Sequence, residues 1–334
     1  PEQYWHIAVG IPLPIQQTSI VRRFERFLAD ARVDVPVYIE PFELAMRTSL
    51  GTETAYLILD CTHAGKKCRV LFIGLAYHGT VLPLMWQTIK GKKGHVKGTM
   101  QRDLLKQLYP QFKYHQRVIV LGDAEFSNEP VISWLKQVKW GFVFRFQTSY
   151  QIQTNKKQAW QSIKALYEAQ NLRPGQTRHW KKVAYTEQHK ISDLTVTVHW
   201  AKGFDDPLCL VSNLAVENDP HLIYEFRFWV ETLFGNHKSR GFQLARTHMT
   251  DPAHIDRLVL ALAIATALVL GLGTHLIVSN RSHLIDRSER RDLSLFQLGW
   301  RYLYRLLALD RLNELNIIFR WDFKLPPPGF QPTN

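Results

Sequence analysis

Two short apolar runs, each closed by an aspartate, constrain this chain more than any other feature. Ala55 to Leu59 is a continuous run that ends at Asp60, and Arg117 to Leu121 is a second that ends in Gly122 and Asp123. A continuous apolar run of this length reads as a strand buried on both faces, so both aspartates are expected at strand ends. Val70 to Tyr77 and Thr80 to Trp86 read as two more strands joined at His78-Gly79. Helical patterns over Met100 to Leu108 and around Pro130 to Val138 flank the second aspartate strand, and Gly141 to Phe146 reads as a fifth strand. The order strand, strand, strand, helix, strand, helix, strand predicts an α/β core with a mixed sheet.

The period changes after this core. Over residues 148–218 Leu194, Val196, Val198 and Trp200 alternate with polar residues, which predicts a β-rich insertion. Helical periodicity returns at His221 and runs with interruptions to about Phe319. An amphipathic helix is expected over Thr18 to Arg32. The domain organisation predicted is a short helical segment over 1–50, a core over 51–147 and 219–320, the insertion over 148–218, and a Pro-rich tail over 321–334. Leu258 to Val278 is long and apolar enough for a membrane span, but its alanines, Thr266, Gly271, Gly273 and Thr274 favour a buried helix, and no membrane is expected.

Lysine and arginine outnumber aspartate and glutamate by 42 to 29, a net charge of +13 that favours a polyanionic partner without choosing which. Cys61, Cys68 and Cys209 lack the spacing of a disulfide framework or a zinc site, which predicts a reducing compartment, the cytoplasm. No charged-then-apolar leader follows Pro1, so no signal peptide is expected, and a natural start upstream stays open.

Downstream, Tyr224, Arg227, Glu231 and Lys238 are separated by three, four and seven residues. On a regular helix these positions fall within an arc of roughly 60° and offer one face carrying a hydroxyl, a guanidinium, a carboxylate and an ammonium. Arg227 and Glu231 alone are also an ordinary i, i+4 surface pair. Gly235-Asn236 offers a helix end before Lys238, which would then reach the face from the following turn.

The pattern Tyr224-x2-Arg227-x3-Glu231-x6-Lys238, downstream of Asp60 and Asp123, resembles the DDE transposases of the bacterial insertion-sequence-four family. The resemblance is clear from about Ala55 to Arg246. It implies a ribonuclease-H-like fold interrupted by a β insertion before the catalytic glutamate helix, which agrees with the element order. It implies that Asp60, Asp123 and Glu231 hold two Mg2+ ions, with Mn2+ able to substitute, in a cage of oxygen ligands. It further implies cut-and-paste strand cleavage and transfer on double-stranded DNA, at transposon ends and target, by a homodimer associated with the bacterial nucleoid.

By the same resemblance Tyr224, Arg227 and Lys238 grip backbone phosphates, and a flipped base can stack on an aromatic ring of the insertion. Trp160, Trp180 and Trp200 are the candidates, with Trp180 set among Arg178, His179, Lys181 and Lys182; a tryptophan packed on a sheet face is the competing reading. Lys92 and Lys93, in the basic stretch from Lys90 to Lys97, are expected to track phosphates or to sit in a solvated loop. Glu125 is a second-ranked ligand candidate. A non-transposing nuclease of the same fold and a decayed DNA-binding protein are the alternative functions.

Overall fold

The computed structural model describes residues 14–91, 95–240, 247–287 and 291–323. Among the described residues two helices, α1 (Gln17–Ala29) and α2 (Val35–Leu50), precede the sheet. Three consecutive strands follow, β1 (Ala55–Ala64), β2 (Cys68–Tyr77) and β3 (Thr80–Lys90), and then α3 (Gly98–Phe112), β4 (Val118–Gly122), α4 (Glu129–Gln137) and β5 (Gly141–Arg145). β1 pairs antiparallel with β2, and β2 with β3, whereas β1, β4 and β5 run parallel. The resulting order β3-β2-β1-β4-β5 is the ribonuclease-H-like arrangement.

One expectation is corrected: Asp60 does not end its strand. β1 continues to Ala64 because its hairpin with β2 keeps pairing, Asp60 opposite Phe72 and Ala64 opposite Cys68. Only its parallel ladder to β4 stops, at Leu59 opposite Gly122.

Residues 148–218 carry β6 (Gln151–Gln153), β7 (Gln161–Ser162), α5 (Ile163–Ala169), β8 (Gln176–Tyr185), β9 (Ile191–Trp200) and β10 (Leu208–Ser212). β10 pairs antiparallel with β5, so these strands extend the same sheet to ten strands in the order β3-β2-β1-β4-β5-β10-β9-β8-β6-β7.

Alternation sorts the sheet's side chains into two apolar layers. Leu57, Leu59, Val118, Val120, Phe142 and Phe144 face α3 and α4. Ile58, Ile119, Leu121, Val143 and Leu210 face the opposite layer, which contains α6 (Pro220–Tyr224), α7 (Trp229–Gly235) and the first half of α8 (Pro252–Val278). Local signals set the helix starts. Asn128 accepts from the Val131 amide ahead of α4, with proline in the first turn, and Asp251 accepts from the His254 amide ahead of α8.

α8 is the apolar run that passed the length test for a membrane span; 72% of its most apolar window is buried inside the protein, as a core helix requires. It also covers the edge strand β3, where Asp256 accepts from the amide and hydroxyl of Thr88 and its carbonyl accepts from Trp86 Nε1. Those bonds occupy edge groups that would otherwise be open to another strand. α9 (Leu295–Ala308) crosses α8 so closely that a Cβ on Gly299 would stand 1.8 Å from the Val269 carbonyl oxygen.

Candidate active site

The parallel ladders set the site's first row. Leu59 lies opposite Gly122 and Gly122 opposite Phe144, so the next residues on β1, β4 and β5 are Asp60, Asp123 and Arg145. Each shares the parity of Ile58, Leu121 or Val143 and is directed to the layer that holds α6 and α7. Gly122 makes room here: a Cβ would meet the Phe126 ring at 2.9 Å, and that ring fills the core beneath the turn after β4.

Above this row runs a helical stretch that changes pitch three times. α6 tightens into a 3-10 turn over Glu225–Phe228, relaxes into α7, and opens into a π turn over Asn236–Arg240. The chain therefore does not leave the helix at Gly235-Asn236, and Lys238 sits in the wide turn. Buried Asn236 and His237 anchor that turn, the imidazole Nε2 lying 2.9 Å from Thr266 Oγ1 of α8. Single π turns recur at functional sites because the extra residue re-aims the side chains of one turn.

Arg227, on the 3-10 turn, joins the carboxylates. Its Nη2 donates to Asp60 Oδ2 at 3.0 Å and lies 3.8 Å from Asp123 Oδ2, while Nη1 donates to Glu231 Oε1 at 3.0 Å. Asp60 is further fixed by the Cys61 amide, which donates to Oδ1 at 2.6 Å, and Asp123 caps a short turn by accepting from the Glu125 amide at 2.9 Å. Glu231 is the most exposed of the three, its side chain 63% accessible against 10% for Asp60. Three oxygen-donor groups from three separate elements thus face one cation, a hard donor set of the kind Mg2+ and Mn2+ take.

Electrostatics follow from depth. Burial pushes the Asp60 carboxyl up to about 6, and Arg227 pulls it back toward ionisation. Burial works against the Arg227 cation too, but Asp60, Tyr224, Asp123 and Glu231 outweigh it and hold its pKa above the ordinary value. Lys238 is lowered by burial and partly restored by Asp60 and Cys61, so its ammonium belongs to the Asp60 side of the site. Removing one partner of a buried pair such as Arg227 and Asp60 costs about 3–5 kcal/mol, because the remaining charge is stranded.

The other sequence candidates fall in different places. Tyr224 is brought to the site but is 2% exposed; its ring packs edge-on against Phe228, and burial pushes the phenol up to about 12. Glu125 points away from the carboxylates. Its Oε1 accepts from the Val96 amide and its Oε2 lies 3.8 Å from His95 Nδ1, so it tethers the segment before α3. Trp180 lies on β8, five strand spacings from β1, roughly 24 Å along the sheet. It is half-buried against the core layer, as is Trp200, whose Nε1 donates to the Phe204 carbonyl at 2.8 Å, while Trp160, just before β7, is half-buried. Lys92 and Lys93 lie outside the described residues. Arg145 is the site residue that sequence reading missed. It is exposed at the mouth of the row, and only strand register reveals it.

No curated protein matches the chain by sequence. Among solved structures, the piggyBac transposase synaptic complex with hairpin DNA aligns over 85% of this chain and 59% of its own, at 13% identity and a TM-score of 0.41. Endonuclease V of Ciona intestinalis, in complex with a 24mer DNA containing an inosine followed by a ribo-adenosine, aligns over 58% of this chain and 89% of its own, at 9% identity and a TM-score of 0.33. The catalytic domain of Mos1 mariner transposase aligns over 40% and 63%, at 13% identity and a TM-score of 0.21. The chain thus spans 59% of the length of the piggyBac chain it resembles, and these loose likenesses add nothing to the strand order described above. The family model of the transposase DDE domain matches residues 49–268. That span runs from the end of α2 into α8 and contains both aspartates, Arg227 and Glu231, and the chain belongs to the transposase DDE domain family.

Proposed function

We propose that the protein is a DNA transposase of the insertion-sequence-four type, cleaving the ends of an insertion sequence and joining them to target DNA by a cut-and-paste route. The convergence of Asp60, Asp123 and Glu231 on the Arg227 guanidinium carries this reading. The three carboxylates are the groups that would hold Mg2+, or Mn2+ in its place. Two such ions, when bound, supply Lewis-acid activation of the attacking oxygen and stabilisation of the leaving one in an in-line phosphodiester displacement.

The chain's own residues do the rest. Asp60 is held by the Cys61 amide and Asp123 by the Glu125 amide, so two ligands are fixed in advance, while the more exposed Glu231 is held by Arg227. Arg227 and Arg145 offer planar forks for the phosphates on either side of the scissile bond, and Lys238 adds a point charge behind Asp60. Tyr224 contributes through its hydroxyl alone, since its ring is committed to the core. The net charge of +13 adds sequence-independent attraction for duplex DNA. The active form is a homodimer on paired ends, in the bacterial cytoplasm at the nucleoid.

The test is cleavage and joining of a labelled duplex carrying the element's ends, in Mg2+ and then in EDTA, by wild type, Asp123→Ala and Glu231→Ala. Metal-dependent release of a 3′-hydroxyl followed by joining, absent from both variants, is the expected result. Cleavage without joining assigns a nuclease instead. Salt-sensitive binding without chemistry in any of the three proteins rejects the enzyme.

A further inference from the structure

The carboxylates read above as metal ligands are already joined to a cation of the chain's own. Arg227 reaches Asp60 and Glu231 at 3.0 Å and Asp123 at 3.8 Å, with its side chain only 14% exposed and its buried Nε without a hydrogen-bond partner. Among the described residues no group of three or more acidic, histidine or cysteine side chains is arranged to hold a metal ion. The guanidinium stands between the oxygens and spaces them. A dication drawn into that space lies within a few Å of a fixed positive charge, and in a half-buried setting such repulsion is large. Metal and Arg227 therefore compete for the same oxygens.

Arg227 has somewhere else to go. It rides on a 3-10 turn, whose hydrogen bonds are poorer than those of the α-helices on both sides, and the half-exposed Phe228 ring, whose centre its guanidinium carbon already faces at 5.6 Å, leaves it a way toward solvent. A phosphate offers its planar fork the same two-oxygen geometry that the carboxylates now supply.

We propose that Arg227 is an internal counter-ion that keeps divalent metal out of the three-carboxylate site until a DNA phosphate draws the guanidinium away. The DNA-free protein then resists loading, and the site is completed only on DNA. This rests on reading Asp60, Asp123 and Glu231 as metal ligands.

The experiment measures Mn2+ affinity of the DNA-free protein by electron paramagnetic resonance of the free ion, for wild type, Arg227→Gln and Arg227→Lys, each checked for folding by circular dichroism. Arg227→Gln is expected to bind Mn2+ about ten-fold more tightly or better, with Arg227→Lys in between, since one like charge has left the site. A residue that only props the site open would weaken binding when removed. A second measurement uses wild type alone, so it stands even if the variants fail to fold. Saturating Mg2+ is expected to speed phenylglyoxal modification of Arg227 several-fold, read by peptide mass. Mn2+ binding in Arg227→Gln no tighter than in wild type, or labelling unchanged by Mg2+, overturns the counter-ion and leaves the ligand reading standing. No Mn2+ bound by any of the three proteins, with or without duplex DNA, removes both.

Discussion

His237 gives the catalytic helix an acid-labile anchor whose size can be worked out. Its imidazole is buried beside Thr266 of α8, and burial depresses its pKa to about 4 from the ordinary 6.5. A folded pKa below the unfolded one means that the fold favours the neutral ring. Its contribution is complete above about pH 6.5 and is lost as the pH falls toward 4. At pH 5 the unfolded ring is mostly protonated and the folded ring mostly neutral, a difference of about 1.5 logarithmic units or about 2 kcal/mol. At pH 7.5 the same comparison gives almost nothing. His237→Gln keeps a group able to meet Thr266 Oγ1 and removes the titration. Urea unfolding in EDTA at pH 7.5 and 5.0 should therefore show wild type losing about 2 kcal/mol more than the variant between the two values. Glu43 and Asp256, which burial raises to about 7 and about 6, gain stability on acidification, but they do so in both proteins and cancel. Equal losses in wild type and variant would refute the buried neutral ring.

Three further outcomes are expected. Gly299→Val places a side chain against the Val269 carbonyl and should destabilise the protein by about 3 kcal/mol or prevent its folding, read as the urea midpoint. Arg145→Ala should leave the fold intact, weaken DNA binding, and lower the slope of log affinity against log salt by about one, measured by fluorescence anisotropy; an unchanged slope removes Arg145 from the phosphate path. Glu125→Ala should retain metal-dependent cleavage within about ten-fold of wild type while speeding amide exchange at Val96; loss as complete as in Asp123→Ala would make Glu125 a ligand after all.

What the sequence disclosed follows the reach of each interaction. The apolar runs before Asp60 and Asp123 are local patterns, and they identified the strands that carry the carboxylates. The hairpin that extends β1 beyond Asp60 was hidden because Cys61 to Ala64 alternate without a strong apolar run, and pairing with β2 alone holds them extended. α2 falls within the helical segment expected over 1–50 without a pattern of its own to mark it: Pro41 lies inside it, and packing of Ile39, Met46 and Leu50 holds it helical, with Pro36 in the opening turn. Regular spacing placed Tyr224, Arg227, Glu231 and Lys238 on one face, but it could not anticipate the changes of pitch through which Lys238 reaches the Asp60 side from a wide turn. Nor could it find Arg145, whose place beside Asp123 is a property of register between strands 22 residues apart in the chain.

The continuity of the sheet has a mechanical consequence. Because β10 is laddered onto β5, the strands between the second aspartate and the glutamate have no hinge separating them from the carboxylates; they move with the core or not at all. The sheet is in effect a ruler. From β1 to β8 it measures five strand spacings, roughly 24 Å or about seven base pairs of duplex. A nucleic acid held at its far end would thus present a bond at a fixed distance to Asp60.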